Sequence, residues 1–375
     1  MAMEKDELSP ILPYDLMTDV LSRLPVKSIV RFKCVSKSWL ALFAHPHFVS
    51  LHLTRSRNSK LVLAYSLDFL SNFLHRPNTL NDLFVLSCDG IVEAASDYID
   101  GGGGALIDIV PPHERKQQVY MAGSCRGLVL CHTRRRCALS LVNPSTREFM
   151  RLPISQLHKT SFRSVGLGYD PSADDYKVVQ LSTHPFPRKT DMNMTLYSLK
   201  SNSWRRIRDF PFRAESMDSG VFVNGNFHWF NPDMSKIVSF HLAEEKFGDV
   251  PLPDDIIEAP LIGVVRGCLC ILSRAKLITA WVMNEYGIGE SWTKFELDLD
   301  APIYVTNTKP LNFSNNDEIL FAIPDTQEFV VCNLKERTSR HMELINSDLE
   351  WSEAETCLES IVSPQEIIKK AEANK

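Results

Sequence analysis

Residues that could do chemistry occur in this chain only in short, incomplete sets. No Gly-x-Ser-x-Gly, His-Glu-x-x-His or P-loop pattern is present, so serine nucleophiles, zinc-protease helices and phosphate-cradling loops have no candidate. Cys131 and His132 with Cys137 could hold a metal, and Cys125 shares their spacing. Structural zinc needs four ligands in paired spacing, and no second pair exists, so core or strand-end thiols are expected and no metal. Gly166-Leu167-Gly168 lacks the third glycine and the helix of a dinucleotide site and runs into a Tyr-Asp-Pro turn, so no cofactor is expected. Gly101–Gly104 has no lysine after it to grip phosphate and reads as a flexible loop insertion. Paired-acid catalysis would need carboxylates converging on one centre. Asp174, Asp175 and Asp191 are the nearest candidates, but Asp174-Asp175 has the look of a turn. His228 and His241 lie within apolar strands with no carboxylate at fixed spacing.

What remains is suited to recognition. Arg134-Arg135-Arg136 sits between two apolar runs, as a hairpin tip would, and reads as a solvated turn or as an anion-recognising loop. The segment His184–Asn193 places Phe186, Arg188 and Lys189 among two prolines, which suits contact with a partner. These six residues are the candidate target-binding set.

The elements that would position them follow from composition and period. The 375 residues are 44% hydrophobic and 23% charged, a globular balance with room for two or three domains. A net charge of −5 argues against nonspecific nucleic-acid binding. No apolar run approaches the roughly 18 residues that span a bilayer. The first ten residues are polar and are expected to be disordered, with no secretory signal. Nine cysteines at irregular spacing are expected to be reduced thiols of a cytoplasmic or nuclear protein.

Residues 11–53 read as a helical module. Leu16, Val20, Leu21 and Leu24 mark one helical face before Pro25 breaks the helix. A second helix begins near Lys27 and carries Ile29, Phe32, Val35 and Trp39, while Val30, Cys34 and Leu40 point elsewhere. A unit of about 40 residues is at the limit of independent stability. One that is apolar on several sides completes its core against a partner, so it is expected to be a docking module.

Residues 54–60 form a polar, basic linker, and residues 61–363 read as short strands between turns. One unit recurs there: an apolar strand, a polar turn, then a bulky residue opening the next strand. Its copies close near positions 149, 204, 247, 292 and 340, about 45 residues apart, which is the size of a propeller blade. A second unit, a turn followed by an apolar strand, interleaves at Gly127–Cys131, Gly225–Phe230, Gly267–Leu272 and Asp317–Ala322. The expected fold is a helical module followed by a β-propeller of about six blades, within a range of five to seven, with segments 61–90 and 355–363 closing the ring. Residues 364–375 read as a polar tail, either a helix or a disordered end.

Both halves resemble a known family. Leu12-Pro13, Leu16, Leu24-Pro25-Val26-Lys27-Ser28 and Arg31 through Trp39 are similar to the three-helix F-box of plant F-box proteins. Leu141–Pro153, Gly166–Val179, Leu196–Ile207, Trp281–Phe295 and Leu358–Pro364 resemble the F-box-associated, kelch-like domain of the same proteins, including the S-locus group. The resemblance implies a substrate receptor of an SCF-type ubiquitin ligase, itself not an enzyme. The partners it implies are a Skp-type adaptor, a cullin reached through it, and an unidentified target held by propeller loops. It implies adaptor-binding residues Leu12, Pro13, Leu16, Val20, Leu21, Leu24, Pro25, Val26, Ile29, Phe32, Lys33, Cys34, Val35 and Trp39. An F-box scaffold acting with the adaptor alone is the alternative.

Overall fold

The computed structural model describes residues 13–56, 59–65, 82–87, 98–100, 105–108, 119–133, 138–155, 161–183, 192–207, 220–231, 235–254, 261–274, 278–297, 309–311, 318–324, 326–345 and 351–373. The N-terminal ten residues, Leu12, Gly101–Gly104, Cys88, Cys137 and Asp191 lie outside them.

Four short helices form the N-terminal module: α1 (Tyr14–Leu21), α2 (Val26–Phe32), α3 (Lys37–Ala44) and α4 (Pro46–Arg55). Pro13 and Pro25 both take extended ψ values and stand directly before α1 and α2, so each proline starts a helix. The long second helix expected from Lys27 onward is two helices. Ser36 is extended, and its hydroxyl accepts the Trp39 N–H at 3.2 Å, which starts α3 afresh. The core holds Leu21, Val26, Ile29, Leu42, Phe43 and Phe48, with the rings of Phe32, Trp39, Phe43 and Phe48 in contact in sequence. Arg55, expected in the linker, ends α4 and latches it to α1 through an ion pair to Asp19 at 2.6 Å. The first strand begins at Ser59, so the linker is shorter than residues 54–60.

The β half is a ring of six sheets. Blade 2 comprises strands Val119–Cys125, Leu128–Thr133, Leu139–Asn143 and Glu148–Arg151. Blades 3 to 5 repeat this antiparallel order within Ser161–Ile207, Val221–Val250 and Leu261–Leu297. Blade 6, within Lys309–Ile345, gains a parallel fifth strand, Tyr98–Asp100. Blade 1 joins the two ends of the domain. Its strands Ser59–Tyr65, Asp82–Ser87 and Ala105–Asp108 are completed by Trp351–Leu358, which pairs antiparallel with Ser59–Tyr65. The first strands of blades 2 to 6 and the strand Trp351–Leu358 touch one another around the ring axis.

The repeated units in the sequence are the hairpins of these blades. The turns Arg126-Gly127, Asn224-Gly225 and Arg266-Gly267 have positive φ at both positions, as type I′ hairpins require. The bulky closing residue sits opposite the preceding strand, as in Tyr197 against Trp204 and Phe240 against Phe247. Gly166 and Gly168 serve packing between blades 3 and 4: a Cβ at either would meet the ring of Phe227 at 2.6 Å or of Phe222 at 2.7 Å.

After Leu358 the chain crosses beneath blade 2 as a strap before entering α5 (Pro364–Ala373), the helical one of the two readings of the polar tail. Asn143 holds the strap and is fully buried. Its amide donates to the Ser360 carbonyl at 3.0 Å and the Val362 carbonyl at 2.7 Å, while its Oδ1 accepts from the Ser145 and Thr146 N–H groups. Gly127 leaves room for the strap, since a Cβ there would lie 2.0 Å from Ser360 Oγ. Ile361 points into the module's core and Val362 into the core shared by blades 2 and 3, where Leu53 of α4 and Ile367 and Ile368 of α5 also pack.

Asn333 occupies the matching turn of blade 6, where its Oδ1 only accepts, from the Lys335 and Glu336 N–H groups. Asn143→Asp removes two buried donations and buries a charge, and is expected to cost on the order of 3 kcal/mol. Asn333→Asp keeps its acceptor and should cost under about 0.5 kcal/mol. Denaturant melts of the two variants measure the difference.

Candidate functional site

The module buries one side and leaves another bare. On α1, Thr18 and Leu21 turn inward, whereas Leu16 and Val20, one turn apart, are each 54% exposed. The expected single face of Leu16, Val20, Leu21 and Leu24 is thus two faces. Pro13, Pro25, Cys34 and Val35 are exposed, and Leu24, Phe32, Lys33 and Trp39 are half-buried. Leu21, Val26 and Ile29 are core residues that shape the surface from beneath. Tyr14, Val30 and Leu40 are exposed too, without having been singled out as contact residues. Among the described residues, six of the eleven exposed large hydrophobics lie in this small module. Such a concentration marks an interaction surface.

Hydrogen bonds from Arg23 and Arg55 hold the Asp19 carboxyl below the usual range. Burial lowers the pKa of His52, which is 3% exposed and bonded through Nε2 to the Leu24 carbonyl at 3.0 Å.

Propeller geometry assigns the loops to two faces. The turns Arg126-Gly127 and Asn143–Glu148 lie against the strap, on the module's side. The strands that end at Thr133 and Thr183 run from that side toward the opposite face. The residues that follow them, including Arg134, Arg135, Arg136, Phe186, Arg188 and Lys189, lie outside the described residues.

Of the acids suggested by the sequence, the two that are described, Asp174 and Asp175, do not stand at the ring axis. Asp174 and Asp175 belong to a module-side hairpin turn, where Asp174 accepts from Tyr169 and Lys200, and Asp175 from Ser198 and the Lys200 N–H. His228 is fully buried, with Nδ1 on the Val221 carbonyl and Nε2 at 2.7 Å from the Tyr286 hydroxyl, and burial lowers its pKa to about 4. His241 Nδ1 accepts the Glu244 N–H across a turn. Cys131 is buried between blades 1 and 2, and the His132 ring stacks on Tyr120.

A different pair of acids stands on the axial strand Trp351–Leu358. Glu353 and Glu355 are two apart and so share a face. Their pairing partners Ala64 and Val62 pack in the core between blades 1 and 2. Glu353 accepts the Met121 N–H of blade 2, and Glu355 meets Lys309 of blade 6 at 2.6 Å. Burial would lower the Lys309 pKa, but attraction to Glu355 and Glu353 outweighs it. For Glu353 burial dominates, and repulsion from Glu355 adds to it; the Met121 N–H and Lys309 only partly offset them, and its pKa rises to about 7. The spacing Glu353-x-Glu355 on a strand was the available signal, but that strand was expected to begin later, at 355. Each contact joins the closing strand to a neighbouring blade, so the cluster acts as an axial clasp.

Because the folded-state pKa of Glu353 is raised from 4.5 to about 7, its contribution to stability declines as pH climbs through that interval. Glu353→Gln, which stays neutral, should match the native chain near pH 4.5 and exceed it by on the order of 2 kcal/mol above pH 7. Thermal melts across this range read the gap; a gap that does not change with pH would contradict the assignment.

Comparison with known proteins covers both halves. Residues 105–363 match the family described as F-box associated beta propeller domain, and residues 10–51 match the F-box domain. An F-box/kelch-repeat protein of Arabidopsis thaliana is 28% identical over 374 residues, covering 95% of this chain and 96% of that protein. The F-box protein CPR1 of the same plant is 28% identical over 319 residues, covering 76% of this chain and 72% of its own. Its F-box/WD-40 repeat-containing protein 1 is 27% identical over 360 residues, covering 88% and 78%.

Proposed function

Because this chain belongs to the F-box proteins with an F-box-associated β-propeller, we propose that it is the substrate-recognition subunit of an SCF-type ubiquitin ligase. The observation that carries this reading is the exposed apolar face of a module whose own core is already filled. Leu16 and Val20 on α1, with Pro25 and Val35, seat a Skp-type adaptor, and a cullin joins through that adaptor. Burying a large aliphatic side chain contributes roughly 1.5–3 kcal/mol, so a few of these residues dominate the affinity.

A target protein is held on the propeller face away from the module, which leaves the module free for the adaptor. The mechanism is proximity: the receptor raises the effective concentration of target near a charged ubiquitin-conjugating enzyme, and bond-making belongs to other subunits. The chain itself is not a catalyst in this scheme, and it works in the cytoplasm or nucleus. Marked target turnover with the cullin inhibited would favour instead a scaffold acting with the adaptor alone.

Leu16→Glu with Val20→Glu places two charges in the proposed interface and should reduce adaptor co-purification by about a hundredfold or more. Both side chains are exposed, so the melting temperature should barely move. Undiminished adaptor capture by the folded double variant would overturn the docking assignment.

A further inference from the structure

A cleft of about 1040 Å³ lies where the module, blades 2 and 3 and α5 meet. This is the size of cavity that encloses a small organic molecule rather than a lone ion. Its apolar lining comes from all three parts: Leu40 and Val49 from the module, Ile361 and Val362 from the strap, and Ile367 from α5.

The polar lining is unevenly matched. Asp174 is engaged by Lys200 at 3.1 Å and Glu366 by Lys369 at 2.9 Å. The Arg126 charge also acts on Asp174, so across the lining Lys33, Arg126, Lys200 and Lys370 outnumber Glu148, Asp174 and Glu366. Lys370 donates to the Ala44 carbonyl, which leaves its charge unneutralised. The Arg126 guanidinium lies 4.2 Å from the centroid of the Tyr169 ring, which fixes its plane. Its Nε is buried without a hydrogen-bond acceptor. The guanidinium is thus under-satisfied by the protein, its plane is partly exposed, and guanidinium matches carboxylate or sulfonate oxygens best.

We propose that this cleft binds a small amphipathic organic anion, with its acid group on Arg126 and its apolar body against the module, strap and α5. Such a ligand touches the module and the propeller at once and tightens the joint between them. The proposal does not depend on ubiquitin-ligase membership.

Anilinonaphthalene sulfonate, titrated into the full chain and followed by fluorescence, should bind saturably at one site. Arg126→Gln should weaken it by about tenfold, while the uncharged phenylnaphthylamine should lose little. Ala371→Trp, which fills the cleft from a half-buried position on α5, should abolish binding of both dyes while the chain still melts cooperatively, and it decides the matter if Arg126→Gln proves unstable. Unchanged sulfonate affinity in either folded variant would overturn the proposal. So would one-for-one displacement of the dye by a Skp-type adaptor, which would make the cleft part of the adaptor's seat.

Discussion

The relation between the two halves of this protein rests on one buried amide. Asn143 must cap its own turn and hold the strap at the same time, and only a side chain that both accepts and donates can do so. Through it the blade 2 hairpin is bonded to Ser360 and Val362, and the residue between them is inserted into the helical module. The module is consequently part of a continuous packed body with blades 2 and 3. Leu53 reaches down from α4 while Ile361 reaches up from the strap, so each core contains a residue supplied by the other half. A partner seated on the exposed side of the module would thereby be held in a defined direction relative to the propeller.

Ring closure is secured by a second kind of interaction. Hydrogen bonds between Ser59–Tyr65 and Trp351–Leu358 complete blade 1, but a sheet only holds its own strands. Glu353 and Glu355 connect that blade sideways, to Met121 on one flank and to Lys309 on the other. Charged groups in so confined a place cost desolvation, and the raised pKa of Glu353 records that cost. Such groups are tolerated because their bonds are directional and pin the register of the closing strand.

Much of this was legible in the sequence because local rules write it plainly. The period of the hairpin unit followed from turn chemistry repeated at Arg147, Asn202, Glu245 and Arg337, all with positive φ. The helical module was marked by apolar residues at helical spacing on either side of Pro25. What escaped was set by tertiary packing. Leu16 and Leu21 are equally apolar, and nothing in their types says that one is bare and the other buried. The sequence of α5 is polar enough to pass for a tail, yet Ile367 and Ile368 suffice to dock it once a core is present to receive them. The cleft around Arg126 is assembled from segments more than two hundred residues apart, and no local pattern could announce it.

The strap also imposes an order in time. The module is synthesised ahead of the propeller, yet Ile361, which fills its core, is made only after the strands of the ring. A nascent or prematurely terminated chain therefore carries a docking module with a hole in it and an open ring. Completion of the module's core and closure of the propeller arrive together, within the same dozen residues, so the proposed docking face and the proposed cargo-holding ring become whole in one step.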